Sequence, residues 1–276
     1  MPRFCANISL LFNEVALPER FEAAAQAGFR AVEIQFPYAY ESELLAERAR
    51  AAGVEVVLIN MPAGDWEAGE RGLGCLPGRA GEFREGVSAA LAYAKALSCA
   101  RINCLAGIEP EGVAAGLVSK TYLDNLRFAV GPLAAAGVEL LIEPQNTRTF
   151  PGVHLRSTSQ AIRLMDEVGT PNLTLQYDLF HMQIMEGDLA RTLARLLSRI
   201  GHIQVADVPD RHEPGSGEIH YPFLFAEMDR LGYAGWVGAE YLPRTSTVAG
   251  LGWMKPYLDS TTPAAMPRHA LMGTPG

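Results

Sequence analysis

Four polar side chains recur at intervals of 26 to 36 residues in the second half of the sequence. They are Glu143, Asp178, Gln204 and Glu240, and each stands at or near the end of a short apolar run. A strand with its following helix occupies about this length, so the four side chains are expected at the ends of successive strands. Carboxylate and amide oxygens favour hard divalent cations such as Mg²⁺ or Mn²⁺. Buried carboxylates without a cation would repel one another, so the pattern predicts a divalent metal site.

The elements that position these residues show as short apolar runs that alternate with longer helical patterns. Eight runs have the character of strands: 4–12, 31–37, 54–60, 101–107, 139–145, 173–180, 202–208 and 235–242. Eight such units in a chain of this length predict an α/β fold, a single (β/α)₈ TIM barrel. A doubly wound open sheet is the rival fold, but no GxGxxG pattern follows the first strand. In a barrel the ends of the strands converge on one face, which would bring the four side chains together.

The helical patterns between the strands are punctuated by glycine. The segment 79–97 is predicted to be the longest helix, and a serine and a threonine open the helix that begins near residue 157. Six glycines stand where a helix is expected to stop: Gly28, Gly53, Gly137, Gly169, Gly201 and Gly232. We predict one domain over residues 1–258. Residues 259–276 carry no strand or helix pattern and are predicted to form a flexible C-terminal extension.

Composition narrows the classes of function. The chain of 276 residues has a formal net charge of −8, which argues against a nucleic-acid-binding surface but allows a small anionic substrate. There is no long apolar segment for a membrane helix and no signal-peptide pattern, so no membrane partner is expected and the cytoplasm is the expected location. The four cysteines lack CxxC spacing and are expected to be buried free thiols. The sequence does not decide the oligomeric state, and a homo-oligomer is one possibility.

Longer motifs around the four polar residues carry a resemblance to a known family. The segments IEPQN, QYDLFHMQIMEGD, GHIQVADVPDRHEPGSGEI and GWVGAEY, with NMPAGDWEAGERGLGCLPGR at 60–79, resemble the hydroxypyruvate isomerase family. This family belongs to the xylose-isomerase-like TIM-barrel group. The resemblance covers residues 3 to 257. It implies that Glu143, Asp178, Gln204 and Glu240 bind the metal and that Glu143 and Glu240 also transfer the proton. Many relatives in the wider group have a histidine where this chain has Gln204.

Further residues are predicted to contact the substrate. The resemblance places His181 against a substrate oxygen and Arg211 facing a substrate carboxylate, which a guanidinium can bind in bidentate fashion. In the glycine-rich loop 61–78, Glu70 and Arg71 could close over the site and Trp66 could shield it from water. A purely structural role of these loop residues is an equal alternative. Asn60 ends the third strand and is a possible polar contact. Three other histidines, His154, His202 and His220, are expected to be structural, and His269 falls in the C-terminal extension.

The resemblance implies an isomerase that interconverts hydroxypyruvate and tartronate semialdehyde through an enediolate. Its partner would be a small 2-oxo or hydroxy acid, and a divalent metal, Mg²⁺ or Mn²⁺, would be its cofactor. Two alternatives use the same scaffold, a 2-oxo-tetronate isomerase and a ketose 3-epimerase. A metal-dependent nuclease on damaged DNA would need more histidine ligands and a basic face, which this sequence does not show. A barrel that binds sugar acids without catalysis is disfavoured by the two glutamates.

Overall fold

The computed structural model describes residues 1–258 and consists of strands that alternate with helices. The strands are β1 (Arg3–Asn7), β2 (Ala31–Ile34), β3 (Glu55–Asn60), β4 (Arg101–Asn103), β5 (Glu139–Ile142), β6 (Leu173–Asp178), β7 (Ile200–Val205) and β8 (Trp236–Ala239). The helices are α1 (Leu17–Gln26), α2 (Ser42–Ala52), α3 (Ala80–Leu97), α4 (Ala115–Ala135), α5 (Thr158–Val168), α6 (Leu179–Met185), α7 (Leu189–Leu196), α8 (Tyr221–Arg230), α9 (Thr247–Gly250) and α10 (Lys255–Leu258). The predicted extension 259–276, with His269, lies outside the described residues.

The eight strands form a closed parallel barrel in sequence order. Each strand pairs with the next, and β1 pairs with β8, where Cys5 lies opposite Gly238. The chain belongs to the predicted class, a single (β/α)₈ TIM barrel, because each strand is followed by helix that returns the chain to the start of the next strand. No helix within residues 1–258 is long and apolar enough to cross a membrane.

Two apolar clusters are buried among the described residues. The smaller contains Ala31, Leu58 and Leu141, with Trp236 packed against them. A much larger apolar core lies between the sheet and the helices. The four cysteines are buried and free, as expected: Cys5, Cys75, Cys99 and Cys104.

The strands are shorter than the apolar runs that predicted them. The first run was predicted to extend over 4–12, but β1 ends at Asn7. There the Asn7 side-chain oxygen accepts a hydrogen bond from the Ser9 backbone N–H at 3.1 Å, and the Asn7 carbonyl accepts one from Leu11 N–H at 2.8 Å. These bonds form a turn, and the apolar residues after it are buried in the loop rather than in the sheet. An apolar run therefore records burial but not the end of the strand.

Two predictions about the helices are wrong. The longest helix among the described residues is α4, with 21 residues, whereas α3 has 18. Gly116, Gly131 and Pro132 lie inside α4, and residues of these types usually interrupt a helix. Gly201 does not stop a helix but lies inside β7, where a Cβ atom would overlap the Thr174 hydroxyl of β6. The other five glycines have positive φ angles and follow helices as predicted, and Ser157 caps α5 through its side chain.

The loop between β3 and α3 is joined to the end of β4 by a close approach of two backbones. Gly72 has a φ of +129°, and a Cβ atom there would overlap the Leu105 carbonyl. Gly69, in the same loop, has a φ of +94° but has nothing within 4 Å of its Cβ position. The two glycines therefore share a backbone conformation that disfavours side chains and differ in the space around them.

Substitution of these glycines separates the two effects. We expect Gly69→Ala to lower the free energy of unfolding by about 1 kcal/mol, since only the left-handed conformation is penalised. Gly72→Ala should lower it by roughly 1–3 kcal/mol more, because the loop must also move away from Leu105. Urea unfolding followed by circular dichroism measures both values. Equal losses in the two variants would show that the close approach does not constrain the loop.

Candidate active site

The four side chains that the sequence singled out lie at one end of the barrel. Asp178 is the last residue of β6 and Gln204 is near the end of β7, while Glu143 and Glu240 directly follow β5 and β8. Gln204 lies opposite Asp178 on one side and opposite Gly238 on the other. All four side chains are buried, with between 1% and 4% of their surface exposed. Residues that are one strand–helix unit apart in the sequence are therefore neighbours at this end of the barrel.

One arginine links two of these carboxylates. An Arg211 Nη2–H group donates to Glu240 Oε2 at 2.6 Å and to Asp178 Oδ2 at 3.5 Å. The other Asp178 oxygen accepts the Phe180 backbone N–H at 2.8 Å and caps α6, so only Oδ2 faces the centre. Glu143 is held by Asn103, whose amide donates to its Oε2 at 3.0 Å. Each carboxylate therefore has one oxygen fixed by the protein and the other near the common centre.

The electrostatics follow from burial. Desolvation raises the pKa of Glu143 well above its usual range, and the nearby Glu240 and Asp178 carboxylates raise it further. Desolvation raises the pKa of Glu240 to about 8, although Arg211 opposes the shift. The pKa of Asp178 is raised as well, mainly by desolvation. One guanidinium does not offset three buried carboxylates, so the site favours bound protons or a further cation.

His181 presents a hydrogen-bond donor to the same centre. Its Nδ1 atom accepts a hydrogen bond from the Asn146 backbone N–H at 3.2 Å, so the proton of the neutral ring is on Nε2. Burial and the charge of Arg211 lower the pKa of His181 well below its usual value, which keeps the ring neutral. Nε2 lies 3.5 Å from Asp178 Oδ2 and 3.8 Å from Glu143 Oε1 and has no hydrogen-bond partner. A buried N–H of this kind fits a ligand oxygen.

A cavity of about 200 Å³ opens above these side chains. Glu143, Glu240 and Arg211 line it together with Asn60, and Trp66 covers part of it. Trp66 packs against Phe36, with ring centroids 5.1 Å apart, and against Phe150 at 6.4 Å. An acidic floor under aromatic walls is suited to a small polar molecule shielded from water.

A larger cavity of about 600 Å³ lies elsewhere, between α3, α4 and the start of β4 and β5. It is lined mainly by alanine, leucine and other small residues around Cys99, and no carboxylate contributes to its lining. It lacks the converging carboxylates of the smaller cavity, and the smaller acidic cavity is therefore the candidate active site.

The glycine-rich loop brings only some of its predicted residues to the cavity. Arg71 stacks on the Trp66 ring at 4.1 Å and donates to the Trp66 and Glu70 carbonyls, so it supports the wall of the cavity. Glu70 forms an ion pair with Arg79 and accepts the Asp65 backbone N–H. Neither Glu70 nor Arg71 lines the cavity. Their contact with a substrate stays a prediction.

Arg211 is positioned by a loop that the sequence did not explain. Its φ of +61° is unusual for a residue with a side chain. Asp207 organises this loop: its carboxylate accepts hydrogen bonds from the backbone N–H groups of Val208, Gly215, Gly217 and Ile219 at 2.8–3.0 Å. The Asp207 carbonyl also accepts the Arg211 N–H at 2.9 Å. In the sequence, the feature that could have indicated this loop was Asp207 followed by the closely spaced Gly215 and Gly217.

The structure also contains a buried glutamate that the sequence reasoning missed. Glu33 on β2 is fully buried, and His202, which was expected to be structural, donates to it at 2.6 Å. Gln35, just after β2, donates to Glu240 Oε1 at 2.6 Å. An acid inside the apolar run AVEIQ was the available signal, but Glu33 lies inside β2 and not at the end of the strand. His154 pairs with Glu109, and His220 stacks on Phe223, in agreement with structural roles.

Two groups of side chains in the described residues bring metal-binding atoms within 4.8 Å of one another. One contains Glu143, Asp178 and His181, and the other contains Cys5, Glu33 and His202. In the first group Glu143 lines the acidic cavity, and His181 Nε2 lies 3.5 Å from Asp178 Oδ2 and 3.8 Å from Glu143 Oε1. The carboxylate oxygens of Glu143 and Asp178, with the side-chain oxygens of Gln204 and Glu240, fit a divalent cation with a preference for oxygen.

Comparison with known proteins agrees with this fold and assigns the chain to a family. Residues 21–257 match the model of the family described as xylose isomerase-like TIM barrel. The chain is 51% identical to hydroxypyruvate isomerase of Escherichia coli (strain K12) over 93% of this chain and 100% of the relative. It is also 51% identical to a 2-oxo-tetronate isomerase of Cupriavidus necator, over 94% of this chain and 99% of the relative.

A solved structure shares the fold closely. A crystal structure from Brucella melitensis, described as an AP endonuclease of family 2, is 46% identical and superposes with a TM-score of 0.91 over 93% of this chain and 99% of that chain. The chain therefore belongs to the xylose isomerase-like TIM-barrel family, and within it to the isomerases related to hydroxypyruvate isomerase and 2-oxo-tetronate isomerase.

Proposed function

We propose that this chain is a divalent-metal-dependent isomerase that interconverts hydroxypyruvate and tartronate semialdehyde. The observation that supports it most is the convergence of three buried carboxylates and one amide at the open end of the barrel. The names of the relatives at 51% identity support the substrate class. Mg²⁺ or Mn²⁺ is the ion expected with such donors.

The proposed metal site consists of Glu143, Asp178, Gln204 and Glu240. A bound divalent ion would stabilise the negative charge that develops on the oxygens of the substrate. Asp178 and Gln204 would serve mainly as ligands. Glu143 and Glu240 would also exchange protons with the substrate, because both line the cavity and burial raises the pKa of each above its usual value.

The proposed reaction moves two hydrogens and leaves the overall oxidation level unchanged. One glutamate takes the proton from C3 of hydroxypyruvate, the electrons of the C–H bond form a C2–C3 double bond, and the π electrons of the C2 carbonyl move onto its oxygen to give an enediolate. The other glutamate returns a proton to C2, while the hydroxyl proton passes from the oxygen on C3 to the oxygen on C2. An aldehyde then stands at C3 and an alcohol at C2. Either glutamate can act as the first base.

Two further groups orient the substrate in this proposal. The neutral His181 donates its Nε2–H to a substrate oxygen, a role for which its lack of another partner suits it. Arg211 reaches the cavity beside Glu240 and binds the substrate carboxylate. The aromatic wall formed by Trp66, Phe36 and Phe150 limits access of water to the enediolate.

A panel of substrates tests the proposed function. With Mg²⁺ or Mn²⁺ we expect turnover of hydroxypyruvate or of a 2-oxo-tetronate, and loss of turnover with EDTA that added metal restores. Neutral ketoses and a duplex with an abasic site serve as controls for the epimerase and endonuclease alternatives. Arg211→Ala should raise KM for the acids at least tenfold, whereas an epimerase acting on neutral ketoses should be little affected. No turnover of either acid would rule out the proposal.

The two glutamates provide the sharpest test of the mechanism. We expect Glu143→Gln and Glu240→Gln each to lower kcat by about 10²–10⁴-fold or more, because each removes a proton-transfer group. Glu139→Gln is the matched control, since Glu139 lies at the other end of β5 in a half-exposed ion pair with Arg101. Incorporation of solvent deuterium into the product reports the proton transfer. Normal turnover in either active-site variant would contradict the mechanism.

The raised pKa of Glu240 predicts how pH affects the stability of the metal-free protein. Between its ordinary value of 4.5 and the folded value of about 8, Glu240 binds more protons in the folded than in the unfolded chain. Stability therefore falls as pH rises through this window. We expect Tm in EDTA to decrease from about pH 5 to pH 8, and Glu240→Gln to decrease less. Thermal unfolding followed by circular dichroism measures both slopes; identical slopes would show that Glu240 is not the group involved.

A further inference from the structure

A fourth carboxylate lies inside the barrel beneath the proposed metal site. Glu33 is fully buried on β2 and accepts hydrogen bonds from three nitrogen donors: Gln204 Nε2 at 2.8 Å, Asn7 Nδ2 at 2.9 Å and His202 Nε2 at 2.6 Å. The Cys5 thiol also points at it, with Sγ 3.7 Å from Oε2. A carboxylate surrounded by donors is stabilised in its charged form, in which it can only accept hydrogen bonds.

This contact decides which way the Gln204 amide points. Because Glu33 accepts and cannot donate, the NH₂ group of Gln204 must face it, and Oε1 must face away. On that side Gln176 Nε2 donates to Gln204 Oε1 at 2.6 Å. If the amide were reversed, Oε1 would face the Glu33 carboxylate and Nε2 would face the NH₂ group of Gln176. Glu33 therefore presents the oxygen of Gln204, rather than its nitrogen, as the available ligand atom.

The same carboxylate is connected to Glu240. The orientation of the Asn7 amide is fixed independently, because its oxygen accepts the Ser9 backbone N–H at 3.1 Å. Its Nδ2 is shared between Glu33 Oε1 at 2.9 Å and Glu240 Oε1 at 3.1 Å. This leaves Glu240 Oε2 toward the centre of the site, where Arg211 contacts it. Glu33 is thus one hydrogen bond from a proposed ligand and two from a proposed proton-transfer group.

The barrel leaves space for Glu33 at one position on the facing strand. Gly238 lies on β8, two residues before Glu240, and a Cβ atom there would overlap both oxygens of the Glu33 carboxylate. The close approach explains the glycine at this point in a strand, where glycine is otherwise unfavourable. Glu33, Asn7, Gly238 and Gln204 come from four different strands and form one packed unit.

We propose that Glu33 is a positioning residue that orients Gln204 for metal binding and holds Glu240 through Asn7. This proposal rests on the proposed function, since it assigns Glu33 a role toward the ion held by the four ligands. Hydrogen-bonding partners of metal ligands commonly change metal affinity by 10- to 100-fold when they are removed. Glu33 itself does not touch the substrate cavity.

The alternative is that Cys5, Glu33 and His202 form a separate metal site, since their donor atoms lie close together. The hydrogen bonds of the cluster favour positioning. His202 Nε2 and the Gln204 and Asn7 amides already occupy the Glu33 oxygens, so an ion would have to displace three hydrogen bonds to a buried carboxylate. The two assignments differ in the number of ions that each chain binds.

Calorimetric titration of the metal-stripped full chain with Mn²⁺ tests the proposal without relying on activity. We expect the wild-type protein to bind one ion per chain and Glu33→Gln to bind one ion with Kd raised about 10- to 100-fold. Glu213→Gln is the matched control, because Glu213 is also buried but accepts from the Arg244 backbone N–H and does not contact the four ligands. Its Kd should equal that of the wild type.

The outcomes separate the two proposals. A wild-type Kd in Glu33→Gln, even with a lowered Tm, overturns the positioning role and leaves the proposed function intact. Two ions per wild-type chain and one in Glu33→Gln also overturn it, in favour of a separate site. A wild-type chain that binds no Mn²⁺ overturns the metal-dependent function and the role of Glu33 with it. If Glu33→Gln fails to fold, Glu33→Asp carries the test: its shorter side chain should raise Kd at least threefold, and an unchanged Kd overturns the proposal.

Discussion

The burial of four carboxylates inside one barrel is the constraint on which the rest of this structure depends. Glu33, Glu143, Asp178 and Glu240 are each at most 4% exposed. Charged groups removed from water are strongly destabilising unless hydrogen bonds or opposite charges compensate. The compensation comes from amides, one imidazole, backbone N–H groups and the guanidinium of Arg211. The carboxylate charges are not fully compensated at the proposed metal site, and the catalytic chemistry is expected there.

The fold meets this constraint by dividing the barrel interior into levels. A small apolar cluster lies beside the buried carboxylates, with Leu58 opposite Glu33 in the sheet. Glu33 and His202 form a polar level in which the donors and acceptors are largely matched. The four proposed ligands lie at or near the ends of the strands, and two of them, Glu143 and Glu240, line a small cavity. In this arrangement, residues whose hydrogen bonds are satisfied support side chains whose charges are not fully compensated.

The sequence predicted the parts of the site that repeat with the period of the fold. One polar residue at each strand end is visible in a single chain, so the barrel and its four converging side chains could be predicted. Glu33 could not be assigned in the same way, because its partners Asn7, His202 and Gln204 come from strands that meet only when the barrel closes. The end of β1 at Asn7 depends on a side-chain hydrogen bond, which an apolar pattern does not record. Glu70 was predicted as a residue that could close over the site, but in the structure it pairs with Arg79. This pairing depends on the path of the loop, which the sequence does not show.

The central claim is that Glu143, Asp178, Gln204 and Glu240 together bind one divalent ion. The most direct measurement is a crystal structure of the chain with Mn²⁺, with the ion located by its anomalous scattering. The account predicts one peak bound by oxygen atoms of all four side chains at about 2.0–2.3 Å. A peak between Cys5, Glu33 and His202, or no peak near the four side chains, would contradict it.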